Sequence, residues 1–240
     1  MGFSFQEKYF DLVYAPVYDR TVAWIAPYRR FMEESAGKLA LRDGSSVLSI
    51  GAGTGNEFIH LTKNAAATGF FLVAVDLSRR SLRRARRKFN GHGNPLEILK
   101  MDAHRLAFSD QQFDAVMCLH TMDFVADSVT VTREIFRVLK KGGDFVITYP
   151  TGRGSSGLAA EIRRSIAANL RRGRILGATG EAMATLGAAV AYAPLALSNS
   201  RRHHALSRSS IESLMESLLV KEFTLSEDPA YQDIVVLGKR

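Results

Sequence analysis

Cysteine is nearly absent from this chain of 240 residues, in which Cys118 is the only one. A single thiol excludes an intramolecular disulfide and is typical of a reducing cytoplasm. The first residues, MGFSFQEKYFDLVY, lack the basic and apolar regions of a signal peptide. No apolar run is expected to reach the ~18–20 residues of a membrane span. The nearest is 182–197, which contains Thr185, Gly187 and Pro194. These absences predict a cytoplasmic protein.

Acidic residues are fewer than basic ones, and the excess gives a formal net charge of +8. Seven positive charges lie in one short segment, 79–88, which leaves the rest of the chain close to neutral. A solvated helix face is the favoured interpretation of this segment, and an anion-binding patch is the alternative. The 46% hydrophobic and 23% charged content is that of an ordinary globular protein. The length fits one domain enlarged by an insertion.

Apolar runs of strand length alternate with amphipathic helices through the first 150 residues. Strands are predicted at 46–50, 70–75, 96–101, 113–119 and 144–149, and helices at 55–63, 78–89 and 128–139. This alternation predicts an α/β fold with a parallel sheet covered on both faces. Near the end, Ser209 and Glu212 form a capping box for a closing helix. The strands 222–226 and 231–237 follow so closely that they should form an antiparallel hairpin. The expected sheet has seven strands, six parallel and one antiparallel.

Two helix boundaries are predicted from local signals. Residues 14–41 have a helical pattern that should bend or break near Pro27. The helix before the fifth strand should end with Lys140 and Lys141 at its negative pole, and with Gly142 as its stop.

The strongest local signal is a strand, a glycine-rich turn and a helix at 47–58, VLSIGAGTGNEF. Gly51, Gly53 and Gly55 let the backbone turn tightly and let a ligand approach the main chain. The amides at the start of the following helix favour an anionic group. A dinucleotide fingerprint would need Gly or Ala at the position of Asn56, and a P-loop is excluded because no Gly-Lys-Ser/Thr follows.

Asp76 ends the second predicted strand, 21 residues after Gly55. A carboxylate at this place can accept hydrogen bonds from both hydroxyls of a ribose. The alternative is that Asp76 caps the basic helix, but Ser78 fills that role more naturally. The favoured interpretation is therefore a nucleoside site.

Five motifs follow one another over residues 45–150. They are VLSIGAGTG at 47–55, VDLS at 75–78, MDAH at 101–104 with LAFSD at 106–110, FDAVMCLH at 113–120 and EIFRVLKKGG at 134–143. In this order and spacing they resemble class I S-adenosylmethionine-dependent methyltransferases, in particular the group with the ubiquinone/menaquinone C-methyltransferases and many small-molecule enzymes. The resemblance implies a Rossmann-like sheet, with S-adenosylmethionine as the cofactor.

The same resemblance assigns a cofactor site at the glycine turn, the strand ends and the N-terminal helix. Its residues are Tyr18, Gly51, Ala52, Gly53, Thr54, Gly55, Asp76, Leu77, Asp102, Ala103, His104 and Leu119. Asp76 would bind the ribose hydroxyls, and Leu77 would pack on the adenine. Asp102 and the Ala103 amide would contact the adenine amino edge. Tyr18 would act as a lid, while Leu119 and His120 would lie beside the transferable methyl group.

Ser49 departs from the pattern of this family, whose members usually carry Asp or Glu at that position. The acid helps to anchor the amino group of the cofactor. A serine still accepts a hydrogen bond, but the negative charge is missing. Either cofactor binding is weaker in this chain, or the contact has moved to another residue.

The methyl acceptor is less well marked in the sequence. Transfer from a sulfonium is an in-line displacement, in which alignment and exclusion of water supply much of the rate. A base is needed only when the nucleophile carries a proton that must leave. His120 is the first candidate, because histidine titrates near neutral pH, and Asp123 and His104 are the others. A histidine that merely makes a hydrogen bond at a strand end is an equally good interpretation of His120.

Signals for nucleic-acid acceptors and metals are weak. Cys118 looks like a strand-core residue without the Pro-Cys of cytosine C5-methyltransferases, and no Asn/Asp-Pro-Pro-Tyr motif for base amines is present. No metal site is expected, because the adjacent His203 and His204 would not face the same way on a helix.

The segment 151–206 is far longer than the usual strand-to-helix connection of about 2–6 residues. One helical row in it consists of Leu158, Ile162, Ile166 and Leu170. The run 182–197 is apolar on all sides, so it should be buried. In this family such insertions commonly roof the acceptor site, and 155–200 is therefore expected to be a helical cap over an apolar acceptor. Flanking arginines also favour contact with an anionic membrane, and a homodimer interface is the third interpretation.

The sequence thus predicts one methyltransferase domain, 1–240, in four parts. These are an N-terminal helical segment, 1–42, a cofactor-binding core, 43–150, a helical cap, 151–206, and a closing helix with its antiparallel hairpin, 207–240. The predicted function is methyl transfer to a small apolar, lipid- or quinone-like acceptor in the cytoplasm, with or without membrane association. The alternatives are methylation of nucleic acid or protein through the basic helix, with nucleic acid disfavoured, and a non-catalytic cofactor-binding scaffold, for which Ser49 is the only hint.

Overall fold

Seven strands form a single sheet at the centre of the protein, which was analysed as a computed structural model describing residues 9–64, 69–152, 156–197 and 205–240. The strands are β1 (Ser46–Ile50), β2 (Phe71–Asp76), β3 (Leu96–Lys100), β4 (Phe113–Cys118), β5 (Leu139–Tyr149), β6 (Glu222–Glu227) and β7 (Ile234–Lys239). Their order is β3-β2-β1-β4-β5-β7-β6. β1 to β5 pair in parallel, and β7 runs antiparallel to both of its neighbours. The predicted sheet, with one antiparallel strand among seven, is confirmed.

Helices cover both faces of this sheet. They are α1 (Ala15–Thr21), α2 (Ala26–Ala36), α3 (Asn56–Asn64), α4 (Arg79–Phe89), α5 (Ser128–Val138), α6 (Ser156–Arg171), α7 (Ile175–Leu197) and α8 (Arg208–Ser217). Alternate strand residues enter two cores: Val47 and Met117 pack with α2, α3 and α4, whereas Leu48 and Val116 pack with α5 and α8. Because both faces of the sheet centre are buried, a central strand such as β2 is apolar over most of its length, whereas the edge strands β3 and β6 mix polar and apolar residues.

The basic helix α4 shows how the sequence pattern becomes a packed face. Leu82, Ala85 and Phe89 lie on one helix face at i, i+3 and i+7, and all three are buried in the core. Burying side chains such as Leu and Phe contributes about 1.5–3 kcal/mol each. Ser78 is the N-cap, and its Oγ accepts a hydrogen bond from the Ser81 amide at 2.9 Å. Most of the basic side chains project to solvent.

The N-terminal helical segment is broken where the proline indicated. A π-helical turn, Phe10–Tyr14, leads into α1, and a 3-10 turn, Val22–Trp24, separates α1 from α2. Pro27 lies in the first turn of α2, where its missing amide costs nothing. The helix ends at Ala36 and not at residue 41.

The connection between α5 and β5 differs from the prediction. α5 ends at Val138 and the strand begins at the next residue, so Lys140, Lys141 and Gly142 belong to β5 and do not end the helix. β5 bulges here, with Gly142 at φ 76°. Lys140 Nζ bonds to Asp114 Oδ1 at 2.7 Å. Cross-strand pairing therefore overrides the helix-stop pattern.

The predicted cap is an antiparallel pair of helices, α6 and α7, which packs on α1 and α2. The buried carboxylate of Glu181 fixes α7, accepting hydrogen bonds from the Ala26 amide at 3.0 Å and from Ser165 Oγ at 2.7 Å. Ile162 is buried in the core, whereas Leu170, predicted on the same row, is exposed.

Two expectations for α7 are wrong. The run 182–197 is not buried on all sides, because Met183, Leu186 and Val190 are exposed. Within the described residues, the stretch Ile175–Pro194 is long and apolar enough to cross a membrane by length and composition alone, although the sequence analysis found no such run. The helix begins seven residues before the apolar run that was singled out, and one buried Glu181 does not abolish its apolar character.

The N-cap of α8 is Ser207, whose Oγ accepts from the Ser210 amide at 3.1 Å. The predicted capping box of Ser209 and Glu212 is therefore wrong. Glu212 instead pairs with Arg208 at 3.3 Å on the helix surface. The prediction placed the cap two residues too late, because several nearby serines are equally suited to cap the helix.

We expect Ser207→Ala to lower the free energy of unfolding by ~1 kcal/mol, since it removes the acceptor for a helix amide. Ser209→Ala is the matched control and should change stability much less. Urea unfolding of both variants measures the difference. An equal loss in the two variants would contradict the assignment of the cap.

Candidate active site

The glycine turn between β1 and α3 is held at the carboxyl edge of the sheet. Ala52 donates its amide to the Val75 carbonyl at 3.0 Å, which ties the turn to β2. At Gly51, a Cβ would lie 2.1 Å from Thr121 Oγ1, so a side chain does not fit. At Gly53, with φ 51°, a Cβ would meet nothing nearer than 3.9 Å. The turn is therefore packed on its inner side and open where a ligand can approach.

Asp76 links this turn to the end of β2. Its Oδ2 accepts from the Gly53 amide at 2.9 Å, and its Oδ1 accepts from the Ser78 amide at 2.7 Å. Burial raises the pKa of Asp76, the two amides lower it in part, and nearby Asp11 raises it again. Each oxygen retains acceptor capacity for a ribose hydroxyl. Leu77, expected against the adenine, is 49% exposed beside it.

The residues after β3 form a neighbouring wall. Asp102 Oδ1 accepts from the His104 amide at 2.9 Å and lies 2.7 Å from His104 Nδ1. His104 Nε2 lies 3.1 Å from the Asp127 amide, which donates to it. Because both ring nitrogens are engaged, His104 is unsuited to accept a proton from an acceptor. Asp102 and Ala103 lie at the edge adjoining Asp76, since β2 and β3 are neighbours.

The N-terminal helices cover the glycine turn. Lys88 Nζ bonds to Asp19 Oδ1 at 2.6 Å and to Thr54 Oγ1 at 3.1 Å, and Thr54 also donates to Asp19. This polar cluster joins α1 to α4 across the turn. The Thr54 side chain, predicted to touch the cofactor, is therefore engaged with the lid.

Tyrosines fill the space under these helices. Tyr18 packs against Tyr14 and Tyr28, with ring centroids 5.3 Å and 5.5 Å away. Burial raises the pKa of Tyr18 well above its usual value. Tyr18 thus belongs to an aromatic cluster of the N-terminal helices, and its role as a lid over the cofactor stays a prediction.

His120 lies just beyond the end of β4 in an unusual backbone conformation, with φ 53°. Its amide donates to Thr148 Oγ1 at 2.7 Å, and its Nδ1 lies 3.0 Å from Asp233 Oδ2. The ring packs against Phe31 and Tyr231, each with a centroid distance of 4.6 Å. Among the described residues, nothing hydrogen-bonds to the buried Nε2. Strained, non-glycine left-handed residues tend to mark functional sites.

Asp123 joins this pair in a small buried group. The ligand atoms of His120, Asp123 and Asp233 all lie within 4.8 Å of one another, and both carboxylates are buried. Such a group could hold a cation, although no metal site was expected from the sequence. The His120–Asp233 hydrogen bond accounts for the arrangement of these two residues without one.

Asp233 was missed by the sequence analysis. It immediately precedes β7, which runs antiparallel beside β5. The start of an antiparallel strand lies at the edge where its parallel neighbours end, so the predicted hairpin contained a signal for its position. The position of Asp233 beside His120 could not be predicted, because the sequence did not show that β7 pairs with β5.

Leu119 and Cys118 complete the end of β4. Both are buried, as expected for a strand that enters the core. Burial raises the pKa of the Cys118 thiol to about 12, and a hydrogen bond to Thr121 lowers it only in part. Cys118 is therefore a protonated core residue and not a nucleophile.

Glu57, at the start of α3, was also missed. Its Oε1 accepts from Ser49 Oγ at 3.0 Å, and both residues are buried. Burial raises the pKa of Glu57 to about 7, although its own amide and Ser49 lower it in part. The sequence signal was an acid two residues after the last glycine of the turn.

Comparison with known proteins agrees with this geometry. Residues 48–147 match the family model described as a methyltransferase domain. This segment contains the glycine turn, Asp76, Asp102 and His120. Residues 48–147 therefore form a class I S-adenosylmethionine-dependent methyltransferase domain, and S-adenosylmethionine is its cofactor.

Curated relatives extend the similarity over part of their length. A phosphatidylethanolamine N-methyltransferase of Cereibacter sphaeroides is 36% identical over 119 residues, which cover 49% of this chain and 56% of the relative. A demethylmenaquinone methyltransferase of Mycobacterium sp. (strain JLS) is 33% identical over 159 residues, which cover 63% of this chain and 64% of the relative. The chain thus spans less than two thirds of the length of either.

A solved structure of an S-adenosylmethionine-dependent methyltransferase from Aquifex aeolicus has the same fold. It superposes with a TM-score of 0.55 at 15% identity and covers 96% of this chain and 92% of its own. The sheet with helices on both faces is therefore a Rossmann-like methyltransferase fold.

Replacement of Asp76 by Ala should weaken binding of S-adenosylmethionine by roughly 1–3 kcal/mol, because a buried, charge-assisted contact to the ribose is lost. Glu216→Ala is the control, since Glu216 is an exposed acid on α8 outside the predicted cofactor site. Calorimetry measures both. Binding by Asp76→Ala that equals the wild type would refute the ribose contact.

Proposed function

We propose that the whole chain transfers the methyl group of S-adenosylmethionine to a small apolar acceptor of lipid or quinone type. The observation that carries this proposal is the His120–Asp233 pair, enclosed by Phe31 and Tyr231 at the end of β4. Aromatic walls favour an apolar acceptor, and one ring nitrogen remains for its proton. The names of the two relatives, which act on phosphatidylethanolamine and demethylmenaquinone, support a lipid-like class.

In the proposed reaction, the acceptor nucleophile attacks the methyl carbon in line with the carbon–sulfur bond. The electron pair of that bond moves to sulfur, and S-adenosylhomocysteine leaves. His120 Nε2 takes the proton from the acceptor. Asp233 holds the other ring proton on Nδ1 and stabilises the imidazolium, while the nearby Asp123 adds negative potential.

The test supplies methyl-labelled S-adenosylmethionine with three sets of acceptors. These are phosphatidylethanolamine vesicles, vesicles containing a prenylated naphthohydroquinone, and a mixture of transfer RNA and histone. We expect label in a lipid fraction. Label only in RNA or histone would favour the alternative function through the basic helix, and no label in any fraction would favour a non-catalytic scaffold.

On the acceptor found in that test, His120→Asn and Asp233→Asn should each lower kcat, the first by roughly 10²–10⁴-fold, because proton transfer is lost. S-adenosylhomocysteine affinity should stay unchanged in both. His92→Asn is the control, since His92 is exposed beyond α4. Full kcat in His120→Asn would show that no base is needed and would favour a structural histidine.

We also propose that α7 lies against an anionic membrane surface. Leu176, Met183, Leu186 and Val190 are 67–86% exposed and occupy one helix face by their spacing. Exposed arginines just before the helix add the positive charge that anionic headgroups attract: Arg171, Arg172 and Arg174. An apolar face held parallel to the surface is typical of interfacial helices.

The opposite side of α7 supports a peripheral contact over a membrane crossing. Glu181 is buried and bonded to the protein body, and Trp24 packs on Gly180. An apolar groove of about 480 Å³ runs between α7 and the N-terminal segment. Its lining consists of Tyr9, Val13, Val17, Met183, Leu186, Gly187, Val190 and Ala191. This groove could receive the hydrocarbon chain of a lipid-like acceptor.

Substitution of Leu176, Met183, Leu186 and Val190 by Ser should abolish flotation with phosphatidylglycerol vesicles, because the apolar contact is lost. Leu219→Ser removes an equally exposed side chain elsewhere and should float like the wild type. If the wild type, the fourfold variant and Leu219→Ser all float with the vesicles to the same extent, the membrane proposal is refuted. A wild-type dimer that the four substitutions convert to monomer would support the dimer interface instead.

A cytoplasmic location and the absence of a nucleic-acid partner remain part of the proposal. Two of the seven charges of α4 are directed at Asp19: Lys88 at 2.6 Å and Arg84 at 3.7 Å. This reduces the charge that the basic face offers to phosphates.

A further inference from the structure

A buried carboxylate occupies the space beside Ser49, where this family usually carries an acid. Glu57 reaches this place from the next helix, and its Oε1 lies 3.0 Å from Ser49 Oγ. A serine Oγ has nearly the position that the carboxyl carbon of an aspartate would have on the same backbone. The charge missing from residue 49 is therefore present one hydrogen-bond length away.

Glu57 is placed by the elements that build the cofactor site. Ser49 is the penultimate residue of β1, and Glu57 is the second residue of α3. The glycine turn connects the two, so a ligand on this turn lies between the ends of both elements. Asn56, the preceding residue, contacts Tyr28 of the covering helices at 3.4 Å.

The charges around Glu57 leave it without a bonded cation. Lys88 is near enough to lower the pKa of Glu57, but its Nζ is bonded to Asp19 and Asn56, each at 2.6 Å. Asp76 adds a further negative charge, which raises that pKa. Among the described residues, the recorded ion pairs do not include Glu57. A buried carboxylate in this state is costly unless a cationic group joins it.

We propose that Glu57 binds the α-ammonium group of S-adenosylmethionine, with Ser49 orienting its carboxylate. Glu57 thereby replaces the acid that residue 49 lacks, and the contact has moved from the strand to the following helix. The proposal rests on cofactor binding by this domain and is independent of the acceptor. Glu57 is a binding residue here and takes no part in the transfer of the methyl group.

Three probes separate this contact from the rest of the site: S-adenosylmethionine, S-adenosylhomocysteine and 5′-methylthioadenosine. The first two carry the ammonium group, and the third keeps the adenosine but lacks it. By calorimetry at pH 7.5, Glu57→Gln should weaken the first two by about 10- to 100-fold. Binding of 5′-methylthioadenosine should stay within about twofold. Glu212→Gln, an exposed acid on α8, is the control.

A compensating variant tests the exchange of positions directly. Ser49→Asp combined with Glu57→Gln returns the acid to the strand and should recover most of the lost affinity. Ser49→Asp alone places two carboxylates side by side and should not bind more tightly than the wild type. Failure of the double variant to recover affinity would overturn the replacement of one acid by the other.

Stability separates this loss of binding from damage to the fold. The pKa of Glu57 is raised to about 7, above its ordinary value, so folding favours its protonated form. Ionisation therefore costs stability as pH rises through about 7. The unliganded Glu57→Gln variant should accordingly have a higher Tm than the wild type at pH 8. Wild-type affinity for S-adenosylhomocysteine should also rise between pH 5.5 and 7, as Glu57 ionises.

Each outcome decides the matter. Unchanged affinity of Glu57→Gln for S-adenosylhomocysteine, or an equal loss for 5′-methylthioadenosine, would overturn the proposal. If Glu57→Gln does not fold, the pH dependence of the wild type and the double variant still test it. If the wild type binds 5′-methylthioadenosine as tightly as S-adenosylmethionine and S-adenosylhomocysteine, the ammonium group adds no affinity. That result would refute the Glu57 contact and leave the cofactor site intact. A wild type that binds none of the three refutes the cofactor site itself.

Discussion

The two hydrogen bonds that Asp76 accepts hold the glycine turn and the basic helix together at the end of β2. One comes from the glycine turn and the other from the start of the basic helix, so β1, β2 and α4 meet at one half-buried carboxylate. Without that link, the turn would lack its fixed distance from the end of β2. A second constraint requires glycine at residue 51, since Thr121 packs where a side chain on Gly51 would project.

Several carboxylates are buried in this protein, and each of them needs a hydrogen-bond donor or a cation to be stable when ionised. Glu57, Asp123, Asp233 and Glu181 all lie in the interior, where an ionised carboxylate is stable only with hydrogen bonds or a cation. Glu181 meets this need with protein donors and holds α7 in place. Asp233 meets it with His120. Among the described side chains, Ser49 donates to Glu57, and no cation pairs with it, so Glu57 is the carboxylate that a cationic ligand would complete.

The helices α1, α2 and α7 form a layer over the glycine turn. α1 and α2 close over the glycine turn through the Asp19–Lys88 contact and the tyrosine cluster, and α7 packs on α1 from outside. The apolar groove between α7 and the N-terminal segment adjoins the same layer. Under the proposed function, a lipid-like acceptor in this groove would lie next to the helices that cover the glycine turn.

The sequence alone determined the order of strands and helices, the glycine turn and Asp76, because these depend on local periodicity and on short-range backbone geometry. It could not determine the hydrogen-bond partners of His120 and Ser49. His120 pairs with Asp233, more than 100 residues away, and Ser49 pairs with Glu57 on the next helix. It also misjudged α7, since composition says how apolar a helix is but not which face the body covers. The end of α5 and the cap of α8 were decided by strand pairing and by competition among adjacent serines. The contact between His120 and Asp233 exists only once the chain has folded, because it joins two segments that no local pattern relates.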